Sequence, residues 1–207
     1  MDDYVDDKDS PDNHPAAFGL LAAVAAISWY HSLHSPAATS QIDPSVHIGG
    51  PFTLVDTDGR PVTEAALKGK WTAVFFGYTY CPDVCPLTLQ NLAATQRKLG
   101  DKAKDLHILF ITVDPARDTP QALKTYLASA AFPAGVTGLS GTQAQVDVAE
   151  KAYRAVPQRF EKDGSYYFSH TAVIYLMDPK GEFNTPLTAD MTPQQNADQI
   201  RQAMRGG

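Results

Sequence analysis

The stretch from Trp71 to Leu99 constrains the fold and the chemistry together. Trp71-Thr-Ala-Val-Phe-Phe-Gly77 is almost wholly apolar, and Cys81-Pro-Asp-Val-Cys-Pro86 follows it after three residues. A short unbroken apolar run of this kind predicts a strand at the centre of a sheet covered on both faces. From Pro86 to about Leu99 the pattern becomes helical. Leu87, Leu89, Leu92, Ala93 and Leu99 supply an apolar side, and Pro86 suits a first turn. Cys81 and Cys85, the only two cysteines in 207 residues, therefore belong to a strand-to-helix corner. Two thiolates at this spacing can converge on one soft metal ion or close into a disulfide.

The rest of the chain alternates in the same way. Residues 52–63 predict a hairpin turning at Asp58-Gly59, because Asp before Gly tolerates the positive φ that a tight turn needs. His107–Val113 and Thr171–Met177 read as further buried strands, and a last strand is expected near Glu182–Asn184. Helices are expected from Asp118 or Thr119, from Gln143 to Ala155 and from Thr192 to Met204. Val148 is among the residues expected on the apolar side of the second of these. Gly138–Gly141 reads as a short edge or turn. Alternating strands and helices with hairpins at both ends give a three-layer α/β domain with a central mixed sheet. Ligands in such sheets bind at the carboxyl ends of strands, which nominates Tyr78–Cys85 and Asp114–Asp118. The loop ahead of Thr171 leads into a strand and need not share that edge.

Four segments are expected. Residues 1–14 carry six Asp against one Lys and read as a disordered acidic leader. Residues 15–34 contain an apolar run and read as a single membrane anchor. The run from Pro15 to Tyr30 has 16 residues with Ser28 alone polar, shorter than the ~20 of a full span. The acidic flank is wrong for a secretory leader, whose first region is basic. Residues 35–46 form a tether, and 47–207 a domain of about 160 residues, large enough for a core without disulfide staples. A net charge of −6 without a basic run argues against nucleic acid as a partner.

The donor types narrow the metal. Copper(I) accepts thiolates at low coordination number, and imidazole suits both copper oxidation states, so two Cys and one His would hold copper through a redox change. A zinc site would want a fourth protein ligand or an open catalytic position, and no second cysteine pair exists. Cys85 precedes Pro86 at a helix start, where backbone N–H groups favour thiolate. His170, in Tyr166-Tyr-Phe-Ser-His-Thr171, is the candidate third ligand; taken alone, a structural or solvent-facing histidine is the simpler reading. Asp118 with Thr119 caps a helix or shapes a turn, or else Asp114 and Asp118 support the site or a docking partner. Asp83 is a turn carboxylate or tunes the site's charge. Phe76, Tyr78 and Tyr80 pack around the corner and could shield a metal from water.

Phe75-Phe-Gly-Tyr-Thr-Tyr-Cys-Pro-Asp-Val-Cys-Pro86, Thr112-Val-Asp-Pro-Ala-Arg-Asp-Thr-Pro120, and His170 ahead of Thr171–Met177 with Asp178-Pro-Lys-Gly181 make the chain resemble one family over roughly 47–205. That family is the SCO/SenC proteins, copper-binding assembly factors of cytochrome c oxidase. The resemblance implies a thioredoxin-like fold and an N-terminal transmembrane helix in the bacterial inner membrane. It also implies a periplasmic domain binding one copper ion, Cu(I) or Cu(II), through Cys81, Cys85 and His170. The implied partners are oxidase subunit II, whose dinuclear copper site would be loaded or reduced, other periplasmic copper chaperones and a thioredoxin-like reductant. One departure stands out. Family members usually carry Asp before the metal histidine, and here it is Ser169. A ligating imidazole wants an acceptor for its other N–H, and Ser169 offers one without charge.

The main reading is thus an assembly factor rather than a catalyst. The alternative is a thiol–disulfide oxidoreductase working through Cys81 and Cys85, although three residues separate them where thioredoxins have two. A peroxidase is disfavoured, because Thr79 stands two residues before Cys81 rather than three.

Overall fold

The first turn forms where Asp58-Gly59 predicts it. Gly59 adopts φ +79°, and Asp56 Oδ1 accepts hydrogen bonds from the N–H groups of Asp58 and Arg60, both at 2.9 Å. This turn joins β1 (Thr53–Asp56) to β2 (Pro61–Thr63). The computed structural model describes residues 47–169 and 172–206. They lie in one unit, Val46–Gly207.

Along this unit run β3 (Trp71–Gly77), α1 (Val84–Leu99), β4 (Leu106–Thr112), α2 (Pro120–Leu127), β5 (Thr137–Ser140) and α3 (Gln143–Tyr153). Then come β6 (Gln158–Lys162), β7 (Ser165–Ser169), β8 (Val173–Met177), β9 (Phe183–Thr188) and α4 (Pro193–Gly206). Helix starts follow local chemistry. Thr119 Oγ1 caps α2 with Pro120 in its first turn, and Thr142 with Gln145 forms a reciprocal capping box on α3.

The main sheet has the order β2-β1-β5-β4-β3-β8-β9. β3, β4 and β5 are parallel to one another, while β8 runs antiparallel to β3 and the two ends close with antiparallel pairs. The sheet is mixed, as the hairpins at both ends require. Side-chain alternation along β3 divides the core. Phe75 meets Phe110 on one face, and Phe110 in turn meets Tyr126 of α2 (centroids 5.8 and 6.1 Å apart). Phe76 points to the other face and meets Tyr153 of α3 at 5.4 Å. α4 joins α1, where Asn196 Nδ2 donates to Asn91 Oδ1 at 3.1 Å. Helices thus cover both faces of a thioredoxin-like sheet, and all seven residues of β3 are buried.

Several expectations change. β5 lies between β1 and β4, so Gly138–Gly141 is no edge. Gly138 packs closely there, since a Cβ would come within 2.6 Å of Leu127 Cδ1 and force that side chain to shift. Val148 is 52% exposed rather than on the apolar side of its helix. Residues 158–169, read from sequence as a loop, form a separate two-stranded hairpin, β6–β7. The membrane anchor expected at residues 15–34, and with it the single-pass placement in the bacterial inner membrane, is corrected. No helix among the described residues is long and apolar enough to cross a membrane, and that segment lies outside them.

Candidate metal centre

The dithiol sits where the central strand ends. β3 finishes at Gly77, the chain turns through Cys81 N–H donating to Tyr78 O (3.2 Å), and α1 begins at Val84. Cys85, in the first turn of α1, is fully buried, while Cys81 is half-buried. Both are thiols, not joined by a disulfide. The Cys85 N–H donates to Cys81 Sγ at 3.3 Å, so a helix-start amide already faces one sulfur. The Cys85 thiol is pushed well above the ordinary range. Its hydrogen bond with Cys81 is the main cause, followed by burial and by the charge of Cys81. A soft metal ion bound here would displace the thiol protons. Gly77 makes room for this arrangement, since a Cβ there would lie 3.0 Å from Cys85 Sγ.

Beneath the loop, Asp118 is buried and accepts from Thr79 N–H (3.0 Å), Thr79 Oγ1 (2.6 Å) and Thr112 Oγ1 (2.7 Å). Burial raises its pKa, and these three hydrogen bonds oppose the rise. Asp118 thus ties the cysteine loop to the end of β4. Asp114, also buried, pairs with Arg117 and accepts from the Tyr166 hydroxyl at 3.0 Å. The Tyr78 hydroxyl donates to Phe168 O (3.2 Å) and accepts from Phe168 N–H (3.3 Å).

The expected residues separate into groups. Cys81 and Cys85 come together, and Asp114 and Asp118 lie under and beside them as buried hydrogen-bonding hubs. Tyr80 is 65% exposed next to Cys81, so it does not enclose the corner. Asp83 is exposed at the start of α1 and makes no side-chain capping bond. Ser169 is exposed at the end of β7. His170 lies outside the described residues, and among the described ones no three metal-ligating side chains gather. The chain on either side of it nevertheless reaches the dithiol edge. Phe168 is bonded to Tyr78, and β8 begins beside the carboxyl end of β3, because antiparallel pairing sets Ile174 against Phe75. Thr79, Thr112, Arg117 and Tyr166 were not singled out from sequence. Thr112 and Arg117 do lie in the Thr112–Pro120 stretch, but no spacing within it marks either as a partner of the site.

A thioredoxin-like sheet with a dithiol at the strand-to-helix corner defines a class of domains that handle thiols or soft metals. The SCO1/SenC family profile matches residues 40–205, and the chain belongs to that family. It is 39% identical over 165 residues to the mitochondrial protein SCO2 of Saccharomyces cerevisiae, which covers 78% of this chain and 54% of that one. The chain thus spans about half the length of this relative. With protein SenC of Rhodobacter capsulatus it shares 37% identity over 183 residues, 88% of this chain and 82% of that protein. The solved structure of Bradyrhizobium japonicum ScoI with copper bound superposes with a TM-score of 0.69 at 43% identity, covering 75% of this chain and 99% of that one.

Proposed function

We propose that the protein is a copper-binding metallochaperone that delivers copper to, or prepares the cysteines of, the dinuclear copper site of cytochrome c oxidase subunit II. Residues 47–207 are its copper-binding domain. Cys81 and Cys85 hold one copper ion through their sulfurs, and His170 is the third ligand. The observation that carries this reading is the paired sulfurs at the carboxyl edge of β3, with the chain flanking residue 170 attached to that same edge. Soft thiolates suit Cu(I), and one imidazole lets the site accept Cu(II) as well. The half-buried Cys81 gives an acceptor's ligands a place to attack, while the buried Cys85 retains the ion during exchange. Ser169, Asp114 and Asp118 act around the site rather than on the ion.

The test is a copper titration of the full chain. One ion per chain is expected, lost in Cys81→Ser and markedly weakened in His170→Ala. Equal affinity in the histidine variant would remove His170 from the site.

A second reading, thiol–disulfide exchange on oxidase or chaperone cysteines, draws on one observation. Cys81 is partly accessible and Cys85 is buried beside it, the asymmetry of an attacking and a resolving thiol. The two roles are compatible, because copper enters only reduced thiols. A redox titration separates them: exchange requires a potential near that of the partner's cysteines.

A further inference from the structure

We infer that Arg117 is a positioning residue that holds the hairpin leading to His170 against the dithiol loop. The inference rests on the reading of His170 as a copper ligand.

The hairpin needs such a device. Among the described residues β6 and β7 pair only with each other, so no ladder of backbone hydrogen bonds fixes them to the main sheet. Their position must come from side chains, and those contacts converge on the loops after β3 and β4. Arg117 stands at the junction. Its Nε pairs with the buried Asp114 carboxylate, and its Nη1 donates to Tyr166 O at 3.1 Å. Its guanidinium carbon lies 3.8 Å from the Tyr166 ring centroid and 4.6 Å from that of Tyr80. Tyr80 immediately precedes Cys81, and Tyr166 stands four residues before His170. One planar cation thus contacts both the loop bearing the first sulfur and the strand that leads to the imidazole.

The surrounding contacts strengthen the layer. The Tyr166 hydroxyl donates to Asp114, the same carboxylate that orients Arg117, so cation, ring and anion lock one another. Arg159, from β6, also lies 3.8 Å over the Tyr166 ring. Tyr166 and Phe168 alternate on one face of β7, and Phe168 is held by Tyr78. Two successive inward residues of the strand are therefore fixed, one by Arg117 and one by Tyr78. Among the described residues, Arg117 Nη2 is buried and finds no hydrogen-bond partner, so they do not satisfy every donor of the guanidinium. Its plane is used for stacking on the rings, which lysine cannot reproduce.

The test uses the full chain with Arg117→Ala, Arg117→Lys, His170→Ala and the Arg117→Ala/His170→Ala double variant. In the metal-free protein, amide hydrogen exchange across 158–169 should quicken by about tenfold in Arg117→Ala, with β3 and β4 unchanged. Copper affinity, titrated with the metal alone, should fall by about tenfold to a hundredfold in Arg117→Ala, the range seen when residues orienting a ligand are removed. The double variant should bind no more weakly than His170→Ala, since a residue acting through the imidazole has nothing left to position. Arg117→Lys keeps the ion pair and loses the planar layer, so it should recover only part of the affinity. Unchanged hairpin exchange and copper affinity in Arg117→Ala, beside weakened binding in His170→Ala, would overturn the inference and leave the copper reading standing. Additive losses in the double variant would also overturn it. Wild-type affinity in His170→Ala would remove the copper reading and the positioning role together.

Discussion

Cys81 and Cys85 are chemically unequal, and that inequality is testable. Cys85 is buried and its proton is retained by the bond to Cys81, whereas Cys81 is half-buried and receives an amide hydrogen bond. The thiolate is the reactive form, so iodoacetamide should modify Cys81 at least about tenfold faster than Cys85 in the metal-free protein, read by mass spectrometry of the two labelled positions. Equal rates would contradict the described asymmetry. Asp118 supplies a second prediction. Asp118→Ala strands the Thr79 N–H and two hydroxyls, so unfolding in urea should show a loss of about 2–4 kcal/mol, with Asp118→Asn recovering part of it. At this scale the sequence identified Cys81, Cys85, Asp114 and Asp118 because their types and spacing are unusual in themselves. Arg117 and Tyr166 escaped, since their partnership joins positions 49 residues apart and neither type is distinctive alone.

The elements divide by how strongly burial is written into them. β3, β4 and β8 were legible because nearly every position is apolar, and two helix starts because Thr119 and the Pro86 turn announce them. β6–β7 was not. All five residues of β6 are exposed and β7 only alternates exposed with half-buried positions, so no apolar period marks it. The sheet order was equally hidden, since Gly138-Leu-Ser-Gly141 carries no sign that it lies between two strands. α3 holds a pH-sensitive position that its helical pattern also concealed. Among the described residues, one buried oxygen of Glu150 finds no hydrogen-bond partner, and burial, then the charge of Asp147, pushes its pKa up to about 7. A carboxyl whose pKa rises on folding stabilises the fold below its ordinary value of 4.5, and that contribution disappears as pH rises through about 7. Partial exposure reduces the effect to about 1–2 kcal/mol. Glu150→Gln should therefore be close to wild type at pH 4 and more stable than wild type by about that amount at pH 8, measured by urea midpoints. An unchanged difference between the two pH values would reject the assignment. Gly77→Ala tests the corner itself. A Cβ there meets Phe110 Cε2 at 2.9 Å and Cys85 Sγ at 3.0 Å, so a loss of about 1–3 kcal/mol in thermal or urea unfolding is expected.

On the scale of the whole domain, strand direction brings the chemistry together. β3 and β4 are parallel, so the loops after them, carrying Cys81, Cys85, Asp114 and Asp118, open at one edge. β8 is antiparallel to β3 and therefore starts at that edge, which the sequence could not reveal because a strand's direction follows from pairing. Three stretches distant in the chain thus meet through topology, and an ion bound between them would cross-link elements that otherwise separate on unfolding. Binding to the folded state alone adds stability by mass action, about 2.7 kcal/mol when the unbound metal is a hundredfold above its dissociation constant. Copper should therefore raise the unfolding midpoint of the wild-type chain in proportion to the logarithm of its concentration. Cys81→Ser and Cys85→Ser should lose this response, and His170→Ala should show it only at higher copper. A wild-type midpoint that ignores copper, or an equal rise in the cysteine variants, would mean that the ion does not bind at the corner between β3 and α1.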